Sequence, residues 1–316
     1  MFLYPNEFLI AIQSLMLSLI VHGGAWNIPD ELVERHRAGI RNALNAGWEV
    51  LRKGGSSVDA VECAIMILED DDTFDAGRGS HLNAAGEVEL DASIMNGKSM
   101  RCGAVASVRK IRNPISLCRK IMEDSEHILL VGHGAEEFAV SRGMNLCDQA
   151  ALKVDREIKK WQAIQGKGEF STKDAFRASA ASDTVGAVAM DKNGEISVGT
   201  STGGTFNKHP GRVGDSPLIG CGSYAENAFG GVSTTGWGEA MIKIVMAKTV
   251  VDLMEQFNGD VAKATQRGIE LLKQKVDGYG GIIALNANGQ PGVAFNTTRM
   301  ARAYVNEKSP EPFIAV

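Results

Sequence analysis

The feature that most limits how this chain can fold is an abrupt change of character at Thr184. Residues 151–183 are highly charged, poor in branched apolar side chains and without a steady periodicity, which predicts a mobile linker. Residues 184–202 then alternate small, β-branched and apolar residues on both sides of the turn sequence DKNG, as the strands of a hairpin do. The sequence therefore predicts a packed strand that begins on a hydroxyl residue, directly after a segment that cannot pack.

A threonine at the start of a strand can act as a nucleophile when it is also the first residue of a chain. Its own α-amine, with a pKa of about 8, then lies beside the hydroxyl and can take its proton. A cut between Asp183 and Thr184 would create this amine, and the linker would let the preceding segment move away. Taken alone, the stretch favours the simpler alternative, in which Thr184 is a strand residue chosen for its β-propensity.

The composition is that of a globular protein from a reducing compartment. Of the 316 residues, 44% are hydrophobic and 22% are charged, and the net charge of −5 gives no basic surface for nucleic acid. The 5 cysteines are odd in number and widely spaced, which favours free thiols and a cytoplasmic location over a disulfide framework. The 6 histidines show neither HxxxH nor HExxH spacing, so a transition-metal site is not expected.

The apolar run Phe8–Val21 is similar to the apolar part of a signal peptide. Residues 1–7, however, contain a glutamate and neither lysine nor arginine, and no small-residue cleavage site follows the run. The run is also too short to cross a bilayer. We interpret Ser18–Val21 as the first core strand and residues 1–15 as an extension, with Met16 as an alternative start and export as the alternative fate.

Periodicity and turn residues predict the other elements. Helices are expected at about 30–52, 57–70, 113–124, 134–143, 237–257 and 260–275, and strands at about 88–92, 103–108 and 127–132. Residues 203–236 are rich in glycine and predict loops, and a final hairpin turns at NANGQPG. The many hairpins favour an α+β class, with antiparallel sheets covered by helices, over a doubly wound parallel sheet.

Several short motifs accompany the junction at Thr184. They are HGGAW, LEDDDTFDAGRGS and GEVELDASIMNG before it, and GTSTGG, GRVGDSP and GVSTTGWGE after it. Together, from about Leu19 onward, they resemble the plant-type asparaginase/isoaspartyl peptidase family of N-terminal nucleophile (Ntn) hydrolases. The resemblance implies a four-layer αββα sandwich with two antiparallel sheets between helical layers. It also implies a precursor that cuts itself before Thr184 into an α-subunit (1–183) and a β-subunit (184–316), which together form one structural domain.

The resemblance assigns catalytic roles to residues of the β-subunit. Thr184 is similar to the family's nucleophile, and Thr202 to a second active-site threonine that bonds near it. Thr235 and Gly236 are similar to the oxyanion hole, which offers a hydroxyl and a backbone N–H to the developing negative charge. Such donors typically contribute about 3–4 kcal/mol each to transition-state stabilisation.

The GRVGDSP motif is similar to the family's grip on the charged end of the substrate. Arg212 matches the arginine that holds the substrate α-carboxylate, and a guanidinium suits a carboxylate bidentately. Asp215 matches the anion that holds the α-ammonium, and Gly238 matches a backbone contact to the same amine. Taken alone, GRVGDSP would be an ordinary solvated turn.

The loop from Leu68 to Arg78 is similar to the family's sodium-binding loop. By resemblance alone, the ion would be ligated by backbone carbonyls, those of Leu68, Glu69, Asp71, Phe74, Ala76 and Arg78. Ligation by oxygen alone suits a hard cation. No cofactor is expected for the chemistry itself.

Three residues depart from the family's pattern. Asp183 precedes the nucleophile where asparaginases usually have glycine, which is more similar to the aspartylglucosaminidases. Asp75 stands where an active-site asparagine is expected and adds a negative charge beside the substrate. Trp237 stands where a smaller or polar residue is common, as a pocket wall or as packing. The sequences TSTGG and STTG still agree with the asparaginases.

The residues and the resemblance together predict a self-cleaving threonine amidohydrolase. Its expected substrates are L-asparagine and β-aspartyl dipeptides, and its expected assembly is a homodimer of αβ units without nucleic acid or membrane partners. The alternatives are glycosylasparaginase or threonine endopeptidase activity on the same fold, or an unprocessed homologue without catalysis. The sequence GTSTG also matches the GxSxG elbow of serine hydrolases, but no helix signal follows it, as that elbow requires.

Overall fold

The computed structural model describes residues 16–165 and 184–316, which form two β-sheets covered by helices. The described helices are α1 (Asp30–Arg52), α2 (Ser57–Asp70), α3 (Pro114–Asp124), α4 (Gly132–Ser141), α5 (Gln149–Leu152), α6 (Asp155–Gln162), α7 (Gly238–Ile244), α8 (Met246–Gln256) and α9 (Val261–Val276). The described strands are β1 (Ser18–Trp26), β2 (Leu90–Asn96), β3 (Cys102–Val108), β4 (Leu129–Val131), β5 (Val185–Met190), β6 (Ile196–Thr202), β7 (Ser223–Glu226), β8 (Gly230–Gly236), β9 (Gly280–Asn286), β10 (Pro291–Phe295), β11 (Arg299–Asn306) and β12 (Ser309–Ala315). The class is α+β, as predicted.

The larger sheet has 8 strands in the order β12-β11-β1-β5-β6-β2-β3-β4, and the smaller has 4 in the order β10-β9-β8-β7. All pairs in the smaller sheet are antiparallel. The larger sheet is mixed, because β3 and β4 run parallel. The prediction of two antiparallel sheets was therefore wrong at this edge. There α3 crosses between β3 and β4 and returns the chain in the same direction, as helical crossovers do.

The elements stack in the order helices, larger sheet, smaller sheet, helices. The helices α1, α2 and α3 pack on the larger sheet through a core that includes Leu68. The helices α8 and α9 cover the smaller sheet around Val250. The facing sides of the two sheets meet through a third apolar cluster, which includes Val188 and Ile283. Alternate residues of each strand therefore face different apolar layers.

The two long helices after β1 have local signals at their ends. The helix α1 follows Pro29 and carries Asp30 and Glu31 in its first turn, where carboxylates interact favourably with the helix dipole. The helix α2 begins with a capping box, in which the side chains of Ser56 and Asp59 each accept from the other residue's backbone N–H. Both helices match their predicted ranges.

The strand β1 is longer than predicted. Instead of turning after Val21, the chain passes through a bulge between His22 and Ala25 and stays in the sheet until Trp26. Within the bulge Gly24 has a φ of +94°, which glycine adopts without strain. The HGGAW motif is therefore part of a core strand.

The stretch 203–236, predicted as loops, contains the strands β7 and β8. The glycines of β8 lie where side chains would not fit, since a Cβ on Gly231 would be 2.8 Å from Val188. Glycine here marks the close approach of two sheets instead of turns. The strands β11 and β12 were not predicted either, although β11 pairs directly with β1.

Residues 237–257 form two helices, and the prediction of one long helix was wrong. Val245, between α7 and α8, has a left-handed backbone with a φ of +48°. This conformation cannot continue an α-helix, so the chain changes direction there.

The predicted linker 151–183 was wrong in its first part. Residues 151–162 belong mostly to α5 and α6, which pack through the buried side chains of Leu152 and Glu157. The remaining linker residues 166–183 lie outside the described residues, as does the predicted extension 1–15. In the described part of the chain, no helix has the length and apolar content needed to span a bilayer.

Candidate active site

Thr184 lies at the head of β5, in the middle of the larger sheet, with only 4% of its surface exposed. The register between β5 and β6 pairs Val185 with Ser201, which brings Thr184 beside Thr202. Thr184 Oγ1 donates a hydrogen bond to Thr202 Oγ1 over 3.1 Å. The backbone N–H of Gly204 donates to the same Thr202 oxygen over 2.9 Å. The two predicted threonines are therefore together, and the turn after β6 fixes the orientation of Thr202.

Two glycines bring the sheets close together beside Thr184. A Cβ on Gly186 of β5 would lie 2.1 Å from Ser233 Oγ of β8. A Cβ on Gly281 of β9 would lie 2.8 Å from the Cβ of Ala25 in β1. The first contact joins β5 to β8 directly. The second joins their neighbours, since β1 pairs antiparallel with β5 and β9 pairs antiparallel with β8. Together the two contacts place the start of β5 next to the end of β8.

Thr235 and Gly236, predicted for the oxyanion hole, end β8 and so lie at the same end of the sandwich as Thr184. Thr235 is fully buried, and its Oγ1 has no hydrogen-bond partner within residues 16–165 and 184–316. A buried hydroxyl without a partner costs about 1–3 kcal/mol, so its donor is expected to serve a ligand. Gly236 has a φ of +139°, and a Cβ there would lie 2.4 Å from the carbonyl oxygen of Tyr279.

A buried chain of imidazole and hydroxyl groups joins the two sheets next to Thr184. His22 Nε2 and Ser233 Oγ share a hydrogen bond of 2.9 Å, and Ser233 Oγ and Thr200 Oγ1 share another of 2.9 Å. Burial lowers the pKa of His22 to about 3, and a backbone hydrogen bond with Thr184 opposes this only in part. The imidazole is therefore neutral. Sequence reasoning included His22 in the HGGAW motif without a role and singled out neither Ser233 nor Thr200.

The three residues predicted to hold the substrate's charged end also lie together. A Cβ on Gly238 would be 2.7 Å from Asp215 Oδ1 and 3.0 Å from Arg212 Nη2. Asp215 Oδ2 accepts a hydrogen bond of 3.1 Å from Thr234 Oγ1, one residue before the proposed oxyanion hole. Burial raises the pKa of Asp215 to about 6, and hydrogen bonds and Arg212 offset only part of that rise. Asp215 is thus an anion at neutral pH, as binding of an ammonium requires.

Glu239 is a site residue that sequence reasoning did not identify. Its two carboxylate oxygens accept hydrogen bonds of 2.9 Å each from Nε and Nη2 of Arg212. The remaining nitrogen, Nη1, faces the turn after Thr202, since a Cβ on Gly204 would lie 3.3 Å from it. The signal for Glu239 was present in the motif GVSTTGWGE, where it directly follows Gly238.

Two of the three departures from the family's pattern lie in the described residues. The backbone oxygen of Asp75 accepts from Gly203 N over 2.9 Å, so Asp75 borders the turn that follows Thr202. Trp237 precedes α7 and packs against the core of the smaller sheet, which indicates a packing role. Asp183 lies outside the described residues.

The loop 68–78, for which a sodium site is predicted, folds back on its own backbone: the carbonyl oxygen of Glu69 accepts from Arg78 N over 2.8 Å, and that of Asp71 from Phe74 N over 3.2 Å. The carbonyl oxygen of Glu69 lies 2.5 Å from where a Cβ on Gly77 would be, and that of Phe74 lies 3.0 Å from a Cβ on Gly79. Both glycines have positive φ, so the loop curves around its own carbonyls. No group of three His, Cys, Asp or Glu side chains suited to a metal occurs in the described ranges.

The serine-hydrolase alternative does not fit the structure. The sequence GTSTG lies within and just after the strand β6, so no strand-to-helix elbow exists at Ser201. The Ser201 hydroxyl is buried and donates to Glu69 Oε1 over 2.7 Å. Burial raises the pKa of Glu69 to about 8. The GxSxG match is therefore a coincidence of a strand sequence.

Comparisons with known proteins agree along nearly the whole chain. A sequence model of the family described as asparaginase matches residues 15–314. The chain is 41% identical over 289 residues to the isoaspartyl peptidase/L-asparaginase of Xenopus laevis, covering 92% of both chains. It is 44% identical over 285 residues to the Bos taurus protein of the same name, covering 89% of this chain and 91% of that protein. It is 42% identical over 316 residues to the plant-type L-asparaginase of Pyrococcus abyssi, covering 94% of this chain and 99% of that protein.

Proposed function

Because the chain belongs to the asparaginase family, we propose that it is an N-terminal threonine hydrolase that cleaves L-asparagine and β-aspartyl dipeptides. The products are L-aspartate and either ammonia or an amino acid. The observation that carries the proposal is the 3.1 Å hydrogen bond between the hydroxyls of Thr184 and Thr202, at the head of a central strand. The names of the similar proteins support the substrate class.

The nucleophile is generated by cleavage of the bond before Thr184. Thr184 Oγ attacks the carbonyl carbon of Asp183, the peptide nitrogen becomes the α-amine of Thr184, and water opens the resulting ester. The α-subunit (1–183) and the β-subunit (184–316) remain associated, because β1 of the first pairs with β5 and β11 of the second.

Turnover uses the same hydroxyl. The α-amine of Thr184 takes its proton, Oγ bonds to the substrate's side-chain carbonyl carbon, and the oxyanion accepts from Thr235 Oγ1 and Gly236 N. Collapse breaks the carbon–nitrogen bond, and the proton passes from the α-amine to the leaving nitrogen. Water then hydrolyses the ester, which releases aspartate and restores the hydroxyl.

The pair Arg212 and Asp215 selects the α-amino acid end of the substrate. The guanidinium holds the α-carboxylate, while the Asp215 carboxylate and the backbone at Gly238 hold the α-ammonium. Glu239 keeps the guanidinium in one orientation through its two hydrogen bonds. A substrate must therefore carry both charges, which favours asparagine and β-aspartyl peptides over ordinary peptides.

The layered arrangement of helices and sheets supports an Ntn-hydrolase αββα sandwich, and we extend the proposal to a homodimer of αβ units. A sodium ion would be held by the carbonyls of the loop 68–78 and would stabilise that loop without taking part in the chemistry. The 5 cysteines are free thiols, which supports a reducing, cytoplasmic setting.

The test is electrophoresis of the purified protein followed by substrate assays. We expect two fragments, with Thr184 as the first residue of the smaller, and release of ammonia from asparagine and of aspartate from β-aspartyl-leucine. Aspartate release from glycosylated asparagine alone would indicate a glycosylasparaginase, and cleavage of internal peptide bonds would indicate an endopeptidase. A single uncleaved band without turnover would indicate a non-catalytic homologue.

A further inference from the structure

A buried pair of opposite charges lies behind the active-site turn, between α6 and the loop before β2. His81 Nδ1 donates a hydrogen bond to Glu157 Oε2 over 2.7 Å. His81 is 6% exposed and Glu157 is 2% exposed, so the pair is shielded from water. Removing charged groups from water costs free energy even when they are paired. A buried charged pair is therefore expected to have a specific structural or functional role.

The groups around His81 favour its charged form. Two carboxylates, those of Glu157 and Asp75, face the imidazole, and Asp75 Oδ2 lies 4.0 Å from Nε2. On the other side Lys160 Nζ lies 4.0 Å from Glu157 Oε2, and Arg156 Nε donates to Glu157 Oε1 over 2.8 Å. Burial lowers the pKa of His81, but Asp75 and Glu157 outweigh both burial and Lys160 and raise it.

Asp75 connects this pair to the catalytic residues. Its Oδ1 accepts a hydrogen bond of 2.7 Å from the backbone N–H of His81, and its backbone oxygen accepts from Gly203 N over 2.9 Å. Asp75 also packs directly on that turn, since a Cβ on Gly203 would lie 2.3 Å from Asp75 Oδ1. Gly203 follows Thr202, whose hydroxyl accepts from Thr184. A displacement of the Asp75 carboxylate would therefore move the turn that orients Thr202.

We propose that Glu157 and His81 are positioning residues of the active site: Glu157 keeps His81 charged and in place, and His81 holds and neutralises the Asp75 carboxylate behind the turn at Gly203. The proposal rests on the proposed function, because its effect is on the turnover by Thr184. A neutral side chain of the same shape at position 75 would need no cation beside it. The charge of His81, supported by Glu157, therefore compensates the negative charge that aspartate brings to position 75.

The proposal requires that the cost of losing the Glu157 charge depends on the charge at position 75. The test compares E157Q with the wild type, and D75N/E157Q with D75N, in the cleaved enzyme. Turnover of asparagine is expressed per β-subunit that begins at Thr184. We expect kcat to fall about tenfold in E157Q with KM changed by less than about twofold, because Arg212 and Asp215 are untouched. In the D75N background the same change should lower kcat by less than about twofold.

Asp155 provides the matched control, because it lies on the same helix, is exposed, and D155N removes the same charge. D155N should keep the wild-type kcat. An equal loss of kcat in both backgrounds would assign Glu157 a purely structural role and overturn the proposal, as would an unchanged kcat in E157Q. If E157Q does not accumulate as cleaved protein, H81N replaces it in the same comparison. A wild-type enzyme without turnover of either substrate would contradict the proposed function itself, before any variant is compared.

Discussion

Glu239 holds the guanidinium of Arg212 through two parallel hydrogen bonds of 2.9 Å each. Arg212 is largely buried, with 15% of its side chain exposed, whereas 40% of the Glu239 side chain is exposed. Burial by itself would raise the pKa of Glu239, but the bonds from Arg212 outweigh burial and lower it. A carboxylate at the start of α7 therefore fixes the planar cation that is proposed to bind another carboxylate, that of the substrate.

We expect E239Q to weaken substrate binding more than turnover. The amide can accept only one of the two hydrogen bonds from Arg212, so the guanidinium loses its fixed orientation. The KM for asparagine should rise about tenfold while kcat changes by less than about threefold, because Thr184 and Thr235 are untouched. Steady-state kinetics of the cleaved enzyme measures both values.

The exposed Glu255 on α8 serves as the control, and E255Q should retain the wild-type KM. A fall in kcat without a change in KM for E239Q would place Glu239 in the chemistry and contradict a role in holding Arg212.

The pKa of Asp215 predicts an acidic limit to substrate binding. Burial raises this pKa to about 6, and the protonated carboxyl no longer attracts the substrate ammonium. The value of kcat/KM for asparagine should therefore fall as the pH decreases through about 6, mainly through KM. A pH–rate profile of the wild type and of D215N tests this. D215N should bind weakly at every pH and lack the limb near pH 6, keeping only the decline below about pH 8 that protonation of the Thr184 α-amine causes. A D215N profile that retains the limb near pH 6 would assign it to another group.

The same pKa predicts the opposite effect on stability. A carboxyl with a higher pKa in the folded than in the unfolded state binds its proton more tightly when folded, so stability decreases as the pH rises from 3.8 to about 6. A difference of about 2 in pKa corresponds to at most about 3 kcal/mol. Thermal unfolding should show a higher melting temperature for D215N than for the wild type at about pH 7.5 and equal values below about pH 4. A lower melting temperature for D215N at neutral pH would show that Asp215 stabilises the fold.

Replacement of the nucleophile distinguishes the roles of its two groups. T184A should remain a single chain of 33.7 kDa and show no turnover, because it lacks the hydroxyl for both reactions. T184S keeps a hydroxyl and an α-amine, so it should cleave and turn over asparagine, more slowly because serine lacks the methyl group that restricts χ1. Electrophoresis and ammonia release measure the two effects. Turnover by uncleaved T184A at the wild-type rate would rule out the mechanism.

Features with short-range signals were predicted well. The helix α2 has its capping box at Ser56, and the hairpin of β5 and β6 has its turn at DKNG. Arg212 and Asp215 stand three residues apart on one loop, and the structure keeps them together beside Gly238. In each case the residues that determine the structure are near neighbours in the sequence.

Features that depend on distant parts of the chain were missed. The hydrogen bond between His22 and Ser233 joins residues 211 positions apart, and the local sequence around neither residue predicts this contact. The pairing of β11 with β1 also joins distant parts of the chain. The glycines of β8 resemble loop residues in the sequence, because their close packing against the other sheet depends on both sheets being present. The helix α6 was not predicted because its sequence is mostly charged: its fully buried residue is Glu157, which pairs with the distant His81, and Ile158 and Trp161 are only partly buried against the core.

The close approach of the sheets at Gly186 gives a last prediction. A Cβ there would lie 2.1 Å from Ser233 Oγ and 2.4 Å from His22 Nε2, and both atoms belong to well-packed strands. G186A should therefore separate β5 from β8 and destabilise the fold by about 1–3 kcal/mol. It should also slow cleavage and turnover, because Thr184 lies two residues before Gly186 and Thr235 lies two residues after Ser233, at the same end of the two sheets.

Gly134 in α4 is the control: a Cβ there meets nothing within 4 Å, so G134A should stabilise the helix by about 0.5–1 kcal/mol and leave turnover unchanged. Thermal unfolding and the fraction of cleaved chain measure these effects, and a G186A enzyme with wild-type stability and cleavage would show that the two sheets are not held at this separation.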